Sequence, residues 1–264
     1  MRENRGGTLF TLTYGTLSAV ESRPIEIKPL FHYHPGSTSL TISTWSCNLR
    51  CAWCQNHHLS GSLPSEGYGP AFSPAEVLEL ARQDRGICVS FNEPTLLFEF
   101  CLELFPLAKG QGLYCCFVSN GLMTPEALNA LVEAGLDGMN VDVKGRQGVY
   151  DRHCGGGDVE AVWGLAALAR RKGVHVEVVS LLVTGVSDDE DTLKWIVERH
   201  LMYLGRDVPL HFTRYFPSLG LHGAPYAASA PRAGLRYRHR GRGPLRVPRQ
   251  RPWPRGGHAL SILW

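Results

Sequence analysis

Cys47-Asn-Leu-Arg-Cys51-Ala-Trp-Cys54-Gln-Asn56 decides how the rest of this chain is read. Its three thiols follow Ser39-Leu-Thr-Ile-Ser43, which has the composition of a strand. On a loop leaving a strand, thiolates this close in sequence can converge on one small object. Soft thiolate ligands select soft metals or iron–sulfur clusters. Three cysteines leave a four-iron cluster one ligand short, and an open iron is a place for chemistry. Two other readings stand beside this one. Zinc, with His57 or His58 completing a set of three cysteines and one histidine, is a common structural arrangement. A disulfide with one spare thiol is the third, and a cytosolic chain disfavours it.

Outward from that stretch, composition narrows the class. At 264 residues the chain is long enough for one large α/β domain with a sizeable core. Its 44% hydrophobic and 19% charged residues are ordinary for a soluble globular protein. No apolar run approaches the roughly 20 residues that span a bilayer, and Met1-Arg-Glu-Asn-Arg-Gly-Gly7 lacks the apolar core of a signal peptide. The expectation is therefore a cytoplasmic protein with no membrane partner. Eight cysteines in such a chain point to metal or redox chemistry. Cys88, Cys101, Cys115 and Cys116 lie in apolar runs and are expected to be buried small hydrophobes, whereas Cys154 stands apart from any such run.

Residues 1–38 alternate weakly and are punctuated by Gly15, Pro24, Pro29 and Pro35-Gly36, the pattern of short strands ahead of a main domain. His32 and His34 are expected to be packed or surface residues, since no third ligand is near in sequence. From residue 39 strand-like runs (Ser39–Ser43, Gly86–Phe91, Leu113–Val118, Gly138–Val143, Val174–Val183, Val208–Thr213) alternate with helical patterns (Pro74–Arg82, Thr95–Ala108, Pro125–Ala134, Val159–Lys172, Asp189–Leu204). Ser73-Pro74, Thr124-Pro125 and Ser187-Asp-Asp-Glu190 are helix starts; Gly112, Gly135 and Gly173 are helix stops. This alternation implies a parallel sheet. About six units are too few for a complete eightfold barrel. The fold class predicted is α/β, a partial (β/α)6 TIM-like barrel open on one side. It would carry a short N-terminal β extension over 1–38, a core over 39–217 and a tail over 218–264.

In such folds active groups gather at the C-terminal ends of strands. Asn92-Glu93-Pro94, Ser119-Asn120-Gly121 and Asp142-Val143-Lys144 follow the second, third and fourth runs; Glu177 and Ser180 lie on the fifth, and His211 to Tyr215 on the sixth. Asp142 and Lys144, two apart on a strand, share a face and must satisfy each other or a polar ligand. Asn92 and Glu93 offer acceptors for an ammonium group; Ser119 and Asn120 offer groups for a ribose.

Tyr33-His-Pro-Gly36, the cysteine stretch, Asn92-Glu-Pro-Thr95, Val118-Ser-Asn-Gly121, Asn140-Val-Asp-Val-Lys-Gly145 and His211-Phe-Thr-Arg-Tyr-Phe-Pro217 together resemble the radical S-adenosylmethionine (SAM) enzymes. Within them the chain is similar to the enzyme of the AmmeMemoRadiSam system, a relative of pyruvate formate-lyase activating enzyme. The resemblance implies a radical SAM barrel in which Cys47, Cys51 and Cys54 ligate a [4Fe–4S] cluster. It sets Asn92 and Glu93 near the methionyl part of S-adenosyl-L-methionine and Ser119, Asn120 and Asp142 near its ribose, with Arg214 and Lys144 to hold an anionic substrate group or the SAM carboxylate. It implies reductive cleavage of SAM to a 5′-deoxyadenosyl radical that abstracts hydrogen from an unidentified protein or small-molecule substrate. It also implies a one-electron reductant such as flavodoxin or ferredoxin. No catalytic residue is assigned.

The tail departs from this pattern. The last acid is Asp207, and after Pro231 nine arginines follow without a lysine, interleaved with Pro and Gly. Such a run reads as GC-rich coding sequence translated out of frame, and disorder is expected over 221–264. A basic arm binding nucleic acid is the rival reading. Two alternative functions follow: a glycyl-radical enzyme activase and, from another class, a zinc-stabilised nucleic-acid-binding protein.

Overall fold

The computed structural model describes residues 2–61, 71–216 and 259–262. It opens with a hairpin, β1 (Arg2–Arg5) and β2 (Thr8–Thr11), held to the body by the Arg2–Glu99 ion pair at 2.8 Å. β3 (Ala19–Pro24) and β4 (Thr38–Ser43) follow, then α1 (His57–Ser60), α2 (Pro74–Leu80), β5 (Gly86–Val89) and α3 (Phe98–Gly110). Next come β6 (Tyr114–Ser119), α4 (Pro125–Ala134), β7 (Gly138–Asp142) and α5 (Gln147–Val149), which runs into a π-helical turn at Tyr150–Cys154. α6 (Val159–Arg171), β8 (His175–Leu182), α7 (Glu190–Tyr203), β9 (Leu210–Arg214) and β10 (Ala259–Ile262) complete the described chain.

β4 to β9 are parallel neighbours in chain order, which makes the six-unit α/β barrel wall the sequence predicts. Both edges carry an antiparallel strand: β3 on β4 and β10 on β9. The expected boundary at residue 38 therefore falls inside the main sheet, because β3 belongs to that sheet. Within the 218–264 tail, Ala259–Ile262 is described and forms β10. The expectation of disorder for the remainder of the tail, and the out-of-frame reading, lie outside the described residues.

Local signals fix the helix ends. Ser73 accepts from Glu76 N–H while the Glu76 side chain returns to Ser73, a reciprocal cap. Thr124 caps α4, and Gly135 ends it at φ 118°, a conformation that costs glycine little. The cap of α7 is Asp189, not Ser187; Ser187 instead bonds the Leu181 carbonyl and Val183 N–H. Strand alternation then separates two cores. Ile87, Val89, Phe117, Met139 and Val141 pack toward the helices with Phe105, Leu128 and Trp163. Cys88 and Cys116 point the other way, into the bore, with Ile25, Leu30, Tyr33 and Tyr114. Each buried Leu, Ile or Phe is worth about 1.5–3 kcal/mol, so the helix-facing layer carries most of the stability. Cys88, Cys101, Cys115 and Cys116 are all buried, as expected.

The bore is stoppered from below by residues 25–34. Asn140 Nδ2 donates to the Pro29 carbonyl at 2.8 Å. The Glu177 carboxylate accepts the backbone N–H groups of Phe31 (3.1 Å) and His32 (2.8 Å). It is also bonded to His32 Nδ1 (3.2 Å), His175 Nε2 (3.0 Å) and His211 Nε2 (2.6 Å). Glu177 and His211 thus sit at the N-terminal ends of β8 and β9, not with the ligand-side groups. The expectation that polar residues share one end of every strand fails for these two, because a buried carboxylate was needed to seat the stopper. The expectation for His32 changes likewise: its Nδ1, a Glu177 oxygen and His211 Nε2 lie within 4.8 Å of one another, a set of metal-ligand type. His34 goes elsewhere, stacked on Tyr114 at 4.5 Å.

Candidate active site

At the C-terminal ends of the parallel strands a cavity of about 380 Å³ is lined by Cys47, Cys51, Cys54, Asn92, Ser119, Asn120, Asp142 and Lys144. These positions lie at or just beyond the ends of four neighbouring strands, β4 to β7, so the sheet register itself assembles them. All three cysteines are half-buried. Their loop is pinned by its backbone: Arg50 N–H donates to the Cys154 carbonyl (2.7 Å) and Ala52 N–H to the His153 carbonyl (2.8 Å). Trp53, 3% exposed, anchors it in the core.

The thiols differ electrostatically. Cys47 accepts N–H groups from Leu49 (3.4 Å) and, weakly, from Asn120 (3.9 Å), yet burial pushes it up to about 11. Cys51 is drawn down to about 7, first by a hydrogen bond with the Cys154 thiol and further by Lys144. Cys54 lies 3.1 Å from Ser60 Oγ. Cys154 is the residue that spacing could not place beside this loop, since nothing in Tyr150–Cys154 announces a turn reaching back to residue 50.

Asn92 is fixed by Nδ2, which donates to the carbonyls of Thr44 (2.8 Å) and Ser46 (2.7 Å); its Oδ1 is buried with no partner among the described residues. Asp142 pairs through Oδ2 with Lys144 Nζ at 2.5 Å, and its Oδ1 is likewise buried and unpartnered. Burial pulls Lys144 down, but Asp142 and Cys51 outweigh it and hold the ammonium well above the ordinary lysine value. Orphaned buried acceptors are costly unless a ligand donor meets them. Glu93 is placed differently. It is fully buried behind the wall, and its oxygens accept from Thr95 N–H (3.1 Å), Thr95 Oγ1 (2.5 Å), Ser119 Oγ (2.9 Å) and Asn120 N–H (2.9 Å). It ties the turn after β5 to the end of β6. Burial raises its pKa despite these bonds. Arg214 is outside the lining, with its guanidinium 5.0 Å over the Phe216 ring.

Among the described residues, the one group of His, Cys, Asp or Glu whose ligand atoms all lie within 4.8 Å of one another is His32, Glu177 and His211; the three thiols do not form such a set. Soft thiolates lining one cavity are donors of the kind that hold an iron–sulfur cluster. Neither His57 nor His58 lines the cavity.

The profile of the Radical SAM superfamily matches residues 41–196, which span the first five parallel strands and part of α7. An uncharacterized protein of Methanocaldococcus jannaschii, MJ0808, is 34% identical over 226 residues, 85% of this chain and 67% of its own length. Among solved structures, TYW1 with a lysine-pyruvate adduct bound has 16% identity and a TM-score of 0.48, covering 69% of this chain and 66% of that one. Native anSMEcpe with bound AdoMet has 20% identity and a TM-score of 0.43, covering 61% of this chain and 45% of that one. The chain thus spans less than two thirds of either solved chain.

Proposed function

The chain belongs to the radical SAM superfamily, and from that premise we propose that it holds a [4Fe–4S] cluster on Cys47, Cys51 and Cys54 and cleaves SAM reductively. The observation that carries the reading is that three cysteines line one cavity with two buried acceptors, Asn92 Oδ1 and Asp142 Oδ1, that have no partner among the described residues. When bound, the cluster supplies the single electron that splits the SAM sulfonium into methionine and a 5′-deoxyadenosyl radical. The residues of the chain bind and orient. Asn92 Oδ1 receives a ligand N–H, Asp142 Oδ1 a ribose hydroxyl, and Ser119 and Asn120 define the wall between them. Glu93 positions that wall through Ser119 Oγ and the Asn120 N–H. Trp53 and Leu49 keep the cluster side of the cavity dry.

The motif resemblance sets the protein nearest the AmmeMemoRadiSam system enzyme, as a cytoplasmic protein served by a flavodoxin- or ferredoxin-type reductant. Among the described residues no helix is long and apolar enough to cross a membrane. The test is anaerobic reconstitution. The expected result is iron filling one four-iron cluster per chain, a reduced-cluster EPR signal that shifts on adding SAM, and 5′-deoxyadenosine formed under dithionite. Zinc in place of iron, or a signal indifferent to SAM, would overturn the reading.

A further inference from the structure

One cation in this cavity is unaccounted for. Lys28 follows the Ile25–Ile27 turn, on the stopper that closes the bore from below, and lines the same cavity as the three thiols. It is 2% exposed, and its Nζ has no hydrogen-bond partner among the described residues. Its neighbours are the Phe91 ring at 5.8 Å and the buried thiols of Cys88 and Cys116. Cys116 is held neutral by burial.

Among the described residues no carboxylate supplies the missing charge. Asp142 is paired with Lys144, and Glu177 and Glu93 are consumed by the stopper and wall contacts described above. Glu21 is paired with Arg23 at 2.6 Å. Burying an ammonium without a counter-ion is costly. The fold nevertheless seats it firmly, since the neighbouring Pro29, Phe31 and His32 are each hydrogen-bonded to the wall. Desolvation draws the Lys28 ammonium below its ordinary value, the direction that burial without a close counter-ion gives.

We propose that Lys28 is an anion-binding residue of the substrate cavity, so that the substrate carries an oxyanion, carboxylate or phosphate, which lies against its ammonium. This rests on the radical SAM reading. It makes Lys28 a positioning residue that fixes one end of the substrate while the other faces the reacting end of the cavity.

The experiment uses the reconstituted holoenzyme loaded with SAM and titrated with acetate, inorganic phosphate and the neutral control acetamide. Saturable binding of acetate or phosphate, with none of acetamide, is expected, and which of the two binds tells carboxylate from phosphate. Lys28→Met should weaken that binding at least 10-fold, Lys28→Arg should largely restore it, and the SAM-induced shift of the reduced-cluster signal should be unchanged in both. Removal of an unpaired buried charge should also leave the melting temperature of Lys28→Met unchanged or raised, which a structural lysine would not. Wild-type protein indifferent to both anions, or Lys28→Met binding them as well as wild type, overturns the proposal. So does loss of the SAM shift in Lys28→Met, which would give Lys28 to the SAM carboxylate. A wild-type signal that ignores SAM, by contrast, fails the radical SAM reading, whatever the anions do.

Discussion

The two mouths of the bore are both polar, and they treat their buried carboxylates differently. At the lower mouth the buried charge is answered: Glu177 takes two backbone N–H groups and three histidines. At the upper mouth Asn92 Oδ1 and Asp142 Oδ1 are buried with no partner among the described residues, and half-buried thiols face the cavity. A satisfied network specifies structure; an unsatisfied one is a place kept for a ligand. The difference separates groups spent on holding the fold from groups left open to a ligand, though both sets look alike as letters.

That contrast can be broken by mutation. Replacing Cys47, Cys51 or Cys54 with Ala should reduce 5′-deoxyadenosine formation to background while the melting temperature of the protein without iron stays near wild type. A large stability loss there would make the upper mouth structural as well. Glu177→Leu should do the reverse. It strands three histidines and two backbone N–H groups, and breaking such a buried network costs about 3–5 kcal/mol. Denaturant unfolding should show it, and retained stability would refute the stopper role. Asp142→Asn should weaken SAM binding about 10–100-fold, the worth of a hydrogen bond to a charged group, as read by titrating the cluster signal. An unchanged affinity would confine Asp142 to its pair with Lys144.

A smaller effect should come from pH. His200, fully buried, bonds the Val208 carbonyl through Nε2 while its Nδ1 has no partner among the described residues, and burial holds its pKa down to about 4. The unfolded chain then binds the extra proton between about pH 6.5 and 4, and stability falls as pH drops through that window. By pH 5 the loss should be roughly 2 kcal/mol and should shrink in His200→Gln. Glu177, held well below the ordinary carboxylate range, adds its own loss only under stronger acid, as pH falls toward its folded pKa. A flat profile down to pH 5 would refute the neutral His200.

The upper mouth was legible in the sequence because its groups are local: three thiols lie within eight residues, and Asn92, Ser119 and Asp142 lie at or just beyond the end of a strand whose apolar run is plain. Strand and helix limits followed for the same reason, since capping and alternation act over a few residues. The lower mouth was not legible. His32 and Glu177 are 145 residues apart, and no periodicity links them. Along β8, an eight-residue and largely apolar run, pattern cannot say whether Glu177 faces up or down the bore. Lys28 was hidden for a related reason: it lies in the weakly alternating 1–38 stretch, where no local pattern marks a lysine that the barrel will close around.

The stopper also sets a clock for the ribosome. Its apolar residues Ile25 and Leu30 leave the exit tunnel early, yet Glu177, the group that receives Phe31 and His32, is synthesised 145 residues after His32. At about 5–20 residues per second that interval is on the order of ten seconds. Throughout it the segment lacks its carboxylate seat, and Ile25 and Leu30 are less firmly held against a holding chaperone that meets the chain during synthesis.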